Sequence, residues 1–136
     1  MSSKAPHIAH LGIAVRDLDA AVAFWRDVMR MPVGGREVVG DQGVEVAMVH
    51  AGGPALELLH PTRPDSPVGR FLDKRGEGLH HVCLEVEDLA AELARLEALG
   101  VPLVDRAPRV GAGGHLVAFL HPKAAHGVLV ELEQKR

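Results

Sequence analysis

Two histidines and two glutamates stand at matching places in a sequence whose two halves repeat one another. The segment from His10 to Asp17 (His-Leu-Gly-Ile-Ala-Val-Arg-Asp) and the segment from His81 to Asp88 (His-Val-Cys-Leu-Glu-Val-Glu-Asp) share His, Val and Asp in register, 71 positions apart. Each half ends in a strand-like segment that carries an acid, Glu57 in the first and Glu131 in the second. Imidazoles and carboxylates bind borderline to hard divalent cations, so the repeat supplies the ligands of a metal site.

Strand periodicity predicts that these four side chains lie on one side of a sheet. Each of them alternates with apolar neighbours, as His10 does with Leu11 and Ile13. Successive side chains of a strand point to opposite faces, and helices must cover the apolar face. We therefore expect a concave, partly polar surface that holds all four candidate ligands. A single histidine on a strand is more often structural, but four residues at equivalent repeat positions favour a metal site.

The bulk composition is that of one globular domain without membrane or nucleic-acid partners. The 136 residues are 47% hydrophobic and 24% charged, and a chain of this length buries roughly 70% of its unfolded surface. The net charge of -3 argues against a nucleic-acid partner or an anionic membrane. We expect a cytoplasmic protein, or a protein of the mitochondrial matrix if a eukaryotic transit peptide has been removed. The lone Cys83 is expected to be an inert, small hydrophobic residue.

Both halves predict the same succession of elements. In the first half we expect a strand over 8–15, a helix over about 18–30 capped by Asp17, and a hairpin of strands 43–50 and 56–60. In the second half we expect a strand over 81–86, a helix from 89 to about 99 capped by Asp88, and strands over 115–121 and 127–133. These elements predict a single domain of two modules, about 7–61 and 79–134. Residues 62–78 are the predicted linker, with a short helix after Ser66-Pro67.

The paired modules resemble the vicinal oxygen chelate superfamily, which includes glyoxalases, bleomycin resistance proteins and dioxygenases. An ordered set of short motifs is similar, more closely, to the methylmalonyl-CoA epimerase family. This resemblance implies an α+β fold in which two tandem βαβββ modules form a half-barrel around a metal site. The motifs are Asp41-Gln-Gly-Val44, Glu57-Leu-Leu-His-Pro61, Asp65-Ser-Pro67, Gly78-Leu-His-His81, Phe119-Leu-His-Pro-Lys123 and Gly127-Val-Leu-Val-Glu131-Leu132.

The resemblance assigns the metal ligands to the four residues of the repeat, His10, Glu57, His81 and Glu131. Some members of the family have glutamine in place of the second ligand, so Glu57 is within the pattern. The implied cofactor is a divalent ion, with Co2+ preferred and Mn2+, Ni2+, Mg2+ and Zn2+ as the other candidates. The implied partners are a small acyl-CoA thioester and a second copy of the chain in a homodimer.

The implied reaction interconverts (2R)- and (2S)-methylmalonyl-CoA by removing and returning the α-proton. Two bases are required, one for each face of the α-carbon. The resemblance offers Asp41 and Glu131, although the family has glutamate where this chain has Asp41, which is one methylene shorter. The alternative role of Asp41 is to cap its own turn, and Glu37 or Glu45 would then be the missing base. Lys123 is a candidate contact to the CoA phosphates.

Two other classes of function remain open from the residues. The first is another metal-dependent enzyme of the superfamily, either a glyoxalase-like isomerase or an Fe(II) dioxygenase. The extra acid Glu57 would crowd the position that oxygen needs on iron. The second is a non-enzymatic binding protein, for which three Phe, one Trp and no Tyr offer few rings to stack a ligand. His60 and His121 are weaker candidates for lining the mouth of the cavity.

Overall fold

The computed structural model describes residues 5–136 of the chain. These residues form two compact units. The first unit is residues 10–80, and the second unit combines residues 5–9 with residues 81–136. Among residues 5–136, no helix is both long enough and apolar enough to span a membrane.

Each half of the chain has the strand-helix-three-strand succession that the family resemblance implies, with one strand more after each helix than periodicity alone predicted. The first half consists of β1 His7–Ala14, α1 Leu18–Ala23, β2 Val33–Val39, β3 Val44–His50, β4 Ala55–Pro61 and the additional helix α2 Pro67–Arg75. The second half consists of β5 Gly78–Glu85, α3 Leu89–Ala98, β6 Arg109–Val110, β7 Leu116–Leu120 and β8 Val130–Gln134. The expectation of two tandem βαβββ modules is therefore confirmed.

The strands of the first unit follow the order β2-β3-β4-β1. β1 and β4 run parallel, whereas β4 with β3 and β3 with β2 run antiparallel. The parallel pair is possible because α1 provides the crossover after β1. One face of these strands packs against α1 in an apolar core that contains Val15, Leu18, Val22, Ala47, Val49 and Leu58.

The second unit repeats this arrangement with the order β5-β8-β7-β6. β5 runs parallel to β8, and β8 with β7 and β7 with β6 run antiparallel. Here α3 covers the apolar face. The core contains Leu89, Leu93, Ala118, Leu120, Val130 and Leu132.

Matching aspartates begin the two helices that follow the first strand of each module. The side chain of Asp17 accepts a hydrogen bond from the Ala20 backbone N–H at 3.0 Å, and that of Asp88 accepts one from Ala91 N–H at 3.0 Å. Each therefore satisfies one of the backbone donors that a helix leaves without an intrahelical partner. Both predicted N-caps are confirmed.

The structure corrects the prediction for residues 18–42. The expected helix of 18–30 is α-helical only to Ala23 and continues as a π-helical turn over Phe24–Val28, in which Met29 N–H donates to Phe24 O at 3.0 Å. The strand β2 was missed because Pro32 and Gly34-Gly35 indicate a turn. The β2–β3 register shifts between Val33 and Arg36, so the glycines occupy an irregular part of the first unit's edge strand, where such bulges are tolerated.

The predicted linker, residues 62–78, contains a helix and several buried side chains. The expected helix after Ser66-Pro67 is confirmed as α2, whose first turn is capped by Ser66 Oγ accepting from Gly69 N–H at 3.1 Å. Ser66 and the apolar Val68 and Leu72 are buried. The module boundaries 7–61 and 79–134 stay a prediction.

The C-terminal strand differs from the expected 127–133 at both ends. β8 begins at Val130, because His126 and Gly127 have positive φ angles of 57° and 98° and close a turn instead. It continues to Gln134, whose side chain accepts a hydrogen bond from Leu89 N–H at 2.8 Å.

Candidate metal centre and active site

The first unit holds one buried histidine-glutamate pair. His10 lies on β1 and Glu57 on β4, and the parallel register sets Glu57 opposite Gly12, two residues after the histidine. The two side chains therefore meet diagonally across neighbouring strands. His10 Nε2 lies 3.2 Å from Glu57 Oε1, and the side chains are 7% and 6% exposed.

The second unit builds the same pair from the equivalent strands. His81 lies on β5 and Glu131 on β8, and Glu131 stands opposite Cys83, again two residues after the histidine. His81 Nε2 lies 3.1 Å from Glu131 Oε1, with exposures of 3% and 7%. The repeat in sequence is therefore also a repeat in register, distance and burial.

The chemistry and spacing of these atoms fit a divalent cation. The two buried pairs comprise two imidazoles and two carboxylates, which are side chains able to hold a metal ion. Two adjacent ligands on an octahedral ion with bonds of about 2.1 Å lie about 3 Å apart. The 3.1 and 3.2 Å separations agree with that value. A buried carboxylate also requires a compensating positive charge, which a metal ion would supply.

Asp41 lies on an exposed turn of the first unit. The 3-10 turn Gly40–Gln42 joins β2 to β3 and ends at Gly43 in the left-handed conformation, with φ of 62°. Arg63 Nη1 donates to Gly40 O at 3.2 Å, and Gly43 N–H donates to Gly40 O at 3.1 Å. A Cβ at position 43 would lie 2.8 Å from the Arg63 guanidinium carbon. Gly43 is therefore favoured by its φ angle and by the Ser66 Cβ, which would lie 2.9 Å from a Cβ at this position.

The other polar candidates have local partners. Lys123 is exposed on the 3-10 turn Pro122–Ala125, and its backbone N–H donates to His121 Nδ1 at 3.1 Å. His121 is therefore the cap of that turn. His60 Nδ1 lies 3.3 Å from Val15 O. The His80 ring packs edge-to-face against Phe71, with centroids 5.0 Å apart, which is a packing contact within the first unit.

Cys83 is unsuited to nucleophilic catalysis. Its side chain is fully buried and its thiol donates to Glu133 Oε2 at 3.4 Å. Burial raises the pKa of the Cys83 thiol far above its ordinary value, and the carboxylates of Glu131 and Glu133 raise it further. The thiolate required for attack is therefore strongly disfavoured.

Two residues near the second pair were not found from the sequence. Glu133 is buried two residues after Glu131, so the alternation that identified Glu131 could also have identified Glu133. Phe119 lies on β7 directly opposite Glu131, and its ring meets the His81 ring edge-to-face with centroids 5.7 Å apart. Phe119 could not be found from periodicity, because its place beside the pair depends on the register of β7 against β8, as that of Met48 opposite Glu57 depends on β3 against β4.

Residues 9–119 match the Glyoxalase/Bleomycin resistance protein/Dioxygenase superfamily, and the chain belongs to that superfamily. An ethylmalonyl-CoA/methylmalonyl-CoA epimerase of Cereibacter sphaeroides is 43% identical over 127 residues, covering 92% of this chain and 95% of the relative. A mitochondrial methylmalonyl-CoA epimerase of Mus musculus is 41% identical, covering 96% of this chain and 74% of the relative.

A solved structure agrees with these sequence relatives. A methylmalonyl-CoA epimerase in complex with methylmalonyl-CoA and NH4+ has a TM-score of 0.92 and 42% identity, covering 97% of this chain and 96% of that structure. The resemblance inferred from the ordered motifs is therefore confirmed, as is the vicinal oxygen chelate fold.

Proposed function

We propose that this chain is a metal-dependent epimerase that interconverts (2R)- and (2S)-methylmalonyl-CoA. The main support is the buried histidine-glutamate pair that occurs twice with the same register and nearly the same N–O distance. Named epimerases at 41% to 43% identity over most of the chain support the reaction class and the acyl-CoA substrate.

Four residues would hold one divalent ion: His10, Glu57, His81 and Glu131. Co2+ is our first candidate, followed by Mn2+, Ni2+, Mg2+ and Zn2+. Four protein ligands leave two places on an octahedral ion for a bidentate substrate. When bound, the ion would supply Lewis-acid stabilisation of the negative charge that develops on the thioester oxygen.

Asp41 and Glu131 would exchange the proton on the two faces of the α-carbon. One carboxylate accepts the α-proton as the C–H bond breaks, and the electron pair is delocalised into the thioester carbonyl. The conjugate acid of the other carboxylate then returns a proton to the opposite face, so the configuration inverts without net gain or loss of protons. Glu131 would serve both as a ligand and as a base. Lys123 would contact the CoA phosphates as a point charge.

The assembly and the compartment are further parts of the proposal. We propose a homodimer, which sedimentation would test directly. We propose a cytoplasmic enzyme, or an enzyme of the mitochondrial matrix if its source is eukaryotic and a transit peptide has been removed. The Mus musculus relative is named as a mitochondrial protein, which supports the mitochondrial matrix only if this chain comes from a eukaryote.

Deuterium incorporation tests the reaction directly. The apo protein, prepared with a chelator, is loaded with Co2+ and incubated with (2S)-methylmalonyl-CoA in deuterated water. We expect formation of the (2R) epimer with one deuterium at the α-carbon, and loss of both signals when the chelator is present. Propionyl-CoA, which has the thioester but no free carboxylate, is the matched control substrate and should exchange far more slowly. Equal exchange of the two substrates, or full activity without metal, would refute the proposal.

A further inference from the structure

We propose that Phe119 positions the imidazole of His81 for metal binding, so that the second half-site is oriented before the ion arrives. This inference rests on the proposed function only in treating His81 as a metal ligand. Phe119 lies on β7, directly opposite Glu131 of β8. Its ring and the His81 ring are nearly perpendicular, at 83°, with centroids 5.7 Å apart. This is the favoured edge-to-face geometry of aromatic pairs.

Phe119 is itself firmly held by the segment around Asp105. Its backbone N–H donates to Asp105 Oδ2 at 2.9 Å, and its carbonyl accepts from Val104 N–H at 2.9 Å and Asp105 N–H at 3.1 Å. The guanidinium of Arg109 lies over the Phe119 ring, 5.9 Å from its centroid. Arg109 in turn pairs with Asp105, with 3.5 Å between Nε and Oδ1. The backbone of Phe119 is therefore fixed by three hydrogen bonds, and its ring has both His81 and Arg109 as neighbours.

A fixed neighbour matters because the χ2 torsion of histidine is broad. Rotation about χ2 turns Nε2 away from Glu131, and a free ring would have to lose that freedom when an ion binds. Neighbours that orient a ligand histidine commonly change metal affinity by about 10-fold to 100-fold. We assign this orienting role at His81 to the ring of Phe119.

The first unit provides an internal control. Met48 occupies the corresponding place, directly opposite Glu57 on the neighbouring antiparallel strand. A methionine side chain has several rotatable bonds and adapts its shape to its neighbours. It therefore orients a nearby ring less than phenylalanine does. The inference therefore predicts that the two half-sites differ in how firmly the histidine is oriented, although they share register, distance and burial.

The test compares metal affinity in variants of the full-length apo protein. We expect Phe119→Met, which copies the residue of the first unit, to weaken Co2+ binding about 10-fold in calorimetric titration. Met48→Leu should change it by less than about 2-fold, the scale of a substitution with no orienting effect. Phe119→Tyr keeps the ring and should restore an affinity close to that of the wild type. The visible absorption bands of bound Co2+ give a second readout and should broaden only in Phe119→Met.

Thermal unfolding of the apo variants separates positioning from general stability. A structural role alone would lower the melting temperature of Phe119→Met and leave the affinity of the folded protein unchanged, which would overturn the inference. Phe119→Leu serves as a second variant if Phe119→Met does not fold. Equal losses in Met48→Leu and Phe119→Met would also overturn it. If the wild type binds no divalent ion, the proposed function fails as well, whereas tight binding by both wild type and Phe119→Met refutes this inference alone.

Discussion

The carboxylates of the two half-sites offer the sharpest comparison between single residues. Glu57 and Glu131 occupy equivalent register positions, each close to a histidine and each nearly excluded from water. The proposed mechanism nevertheless gives them different duties, because only Glu131 is also a base. Substitutions that preserve shape and remove charge can separate these duties.

We expect Glu57→Gln to retain part of the epimerase activity and Glu131→Gln to lose it. The amide introduced at position 57 can still coordinate through its oxygen, whereas the amide introduced at position 131 cannot accept the α-proton. Metal content by atomic absorption and the rate of epimerisation should be measured on both variants. If metal-loaded Glu131→Gln is as active as Glu57→Gln, Glu131 is a ligand only.

Asp41 is the residue for which the chemical and structural roles are most clearly separable. If it is a base, Asp41→Asn should bind metal normally but lose epimerisation, and Asp41→Glu should keep part of it. If Asp41 only supports its 3-10 turn, asparagine should serve equally well and the rate should stay near that of the wild type. The second outcome would direct the search for a base to Glu37 or Glu45.

The buried thiol of Cys83 makes stability depend on alkaline pH. The pKa of Cys83 is raised in the folded protein, chiefly by burial, while the thiol of the unfolded chain ionises at about pH 8.5. The stabilisation that this pKa difference provides is fully present below the pKa of the unfolded thiol. The free energy of unfolding should therefore fall as pH rises above about 8.5. Urea denaturation of the metal-free protein at pH 7 and pH 10 measures the change. Cys83→Ala is the control and should show a smaller decrease over the same interval.

At the scale of elements, the sequence predicted the features that periodicity and end signals determine. The strands and the two capped helices were found because apolar residues alternate or recur beside an aspartate. Strands β2 and β6 were not found, because the glycines of β2 locally favour a turn and β6 is only two residues long, too short for alternation to show. The contact between Phe119 and His81 depends on how β7 pairs with β8, and periodicity within one strand does not specify this pairing.

The duplicated caps predict matched losses of stability. Asp17→Ala and Asp88→Ala each remove a side-chain acceptor 3.0 Å from a backbone N–H in the first helical turn. Each should lower the free energy of unfolding by about 1 kcal/mol in urea titrations. The corresponding asparagine variants keep a capping oxygen and should lie close to the wild type. Equal stability of the alanine and asparagine variants would show that these hydrogen bonds add little.

For the whole molecule, metal binding should be measurable as folding free energy. A ligand that binds only the native state, at about 100 times its dissociation constant, stabilises that state by about 2.7 kcal/mol. For a chain of this length we expect a rise of roughly 10 °C in melting temperature on adding Co2+ to the apo protein. His81→Ala should remain folded and lose this rise. An unchanged melting temperature in the wild type, with and without chelator, would contradict a native metal site.

The unequal residues at equivalent positions, Phe119 against Met48 and Cys83 against Gly12, also bear on the history of the chain. A gene duplication would first have produced two identical halves, which could offer a substrate only identical surroundings. Separate copies in one polypeptide can accumulate different substitutions, which a single self-associating half cannot. Duplication followed by divergence would therefore have let each histidine-glutamate pair acquire neighbours of its own while the pair itself was kept.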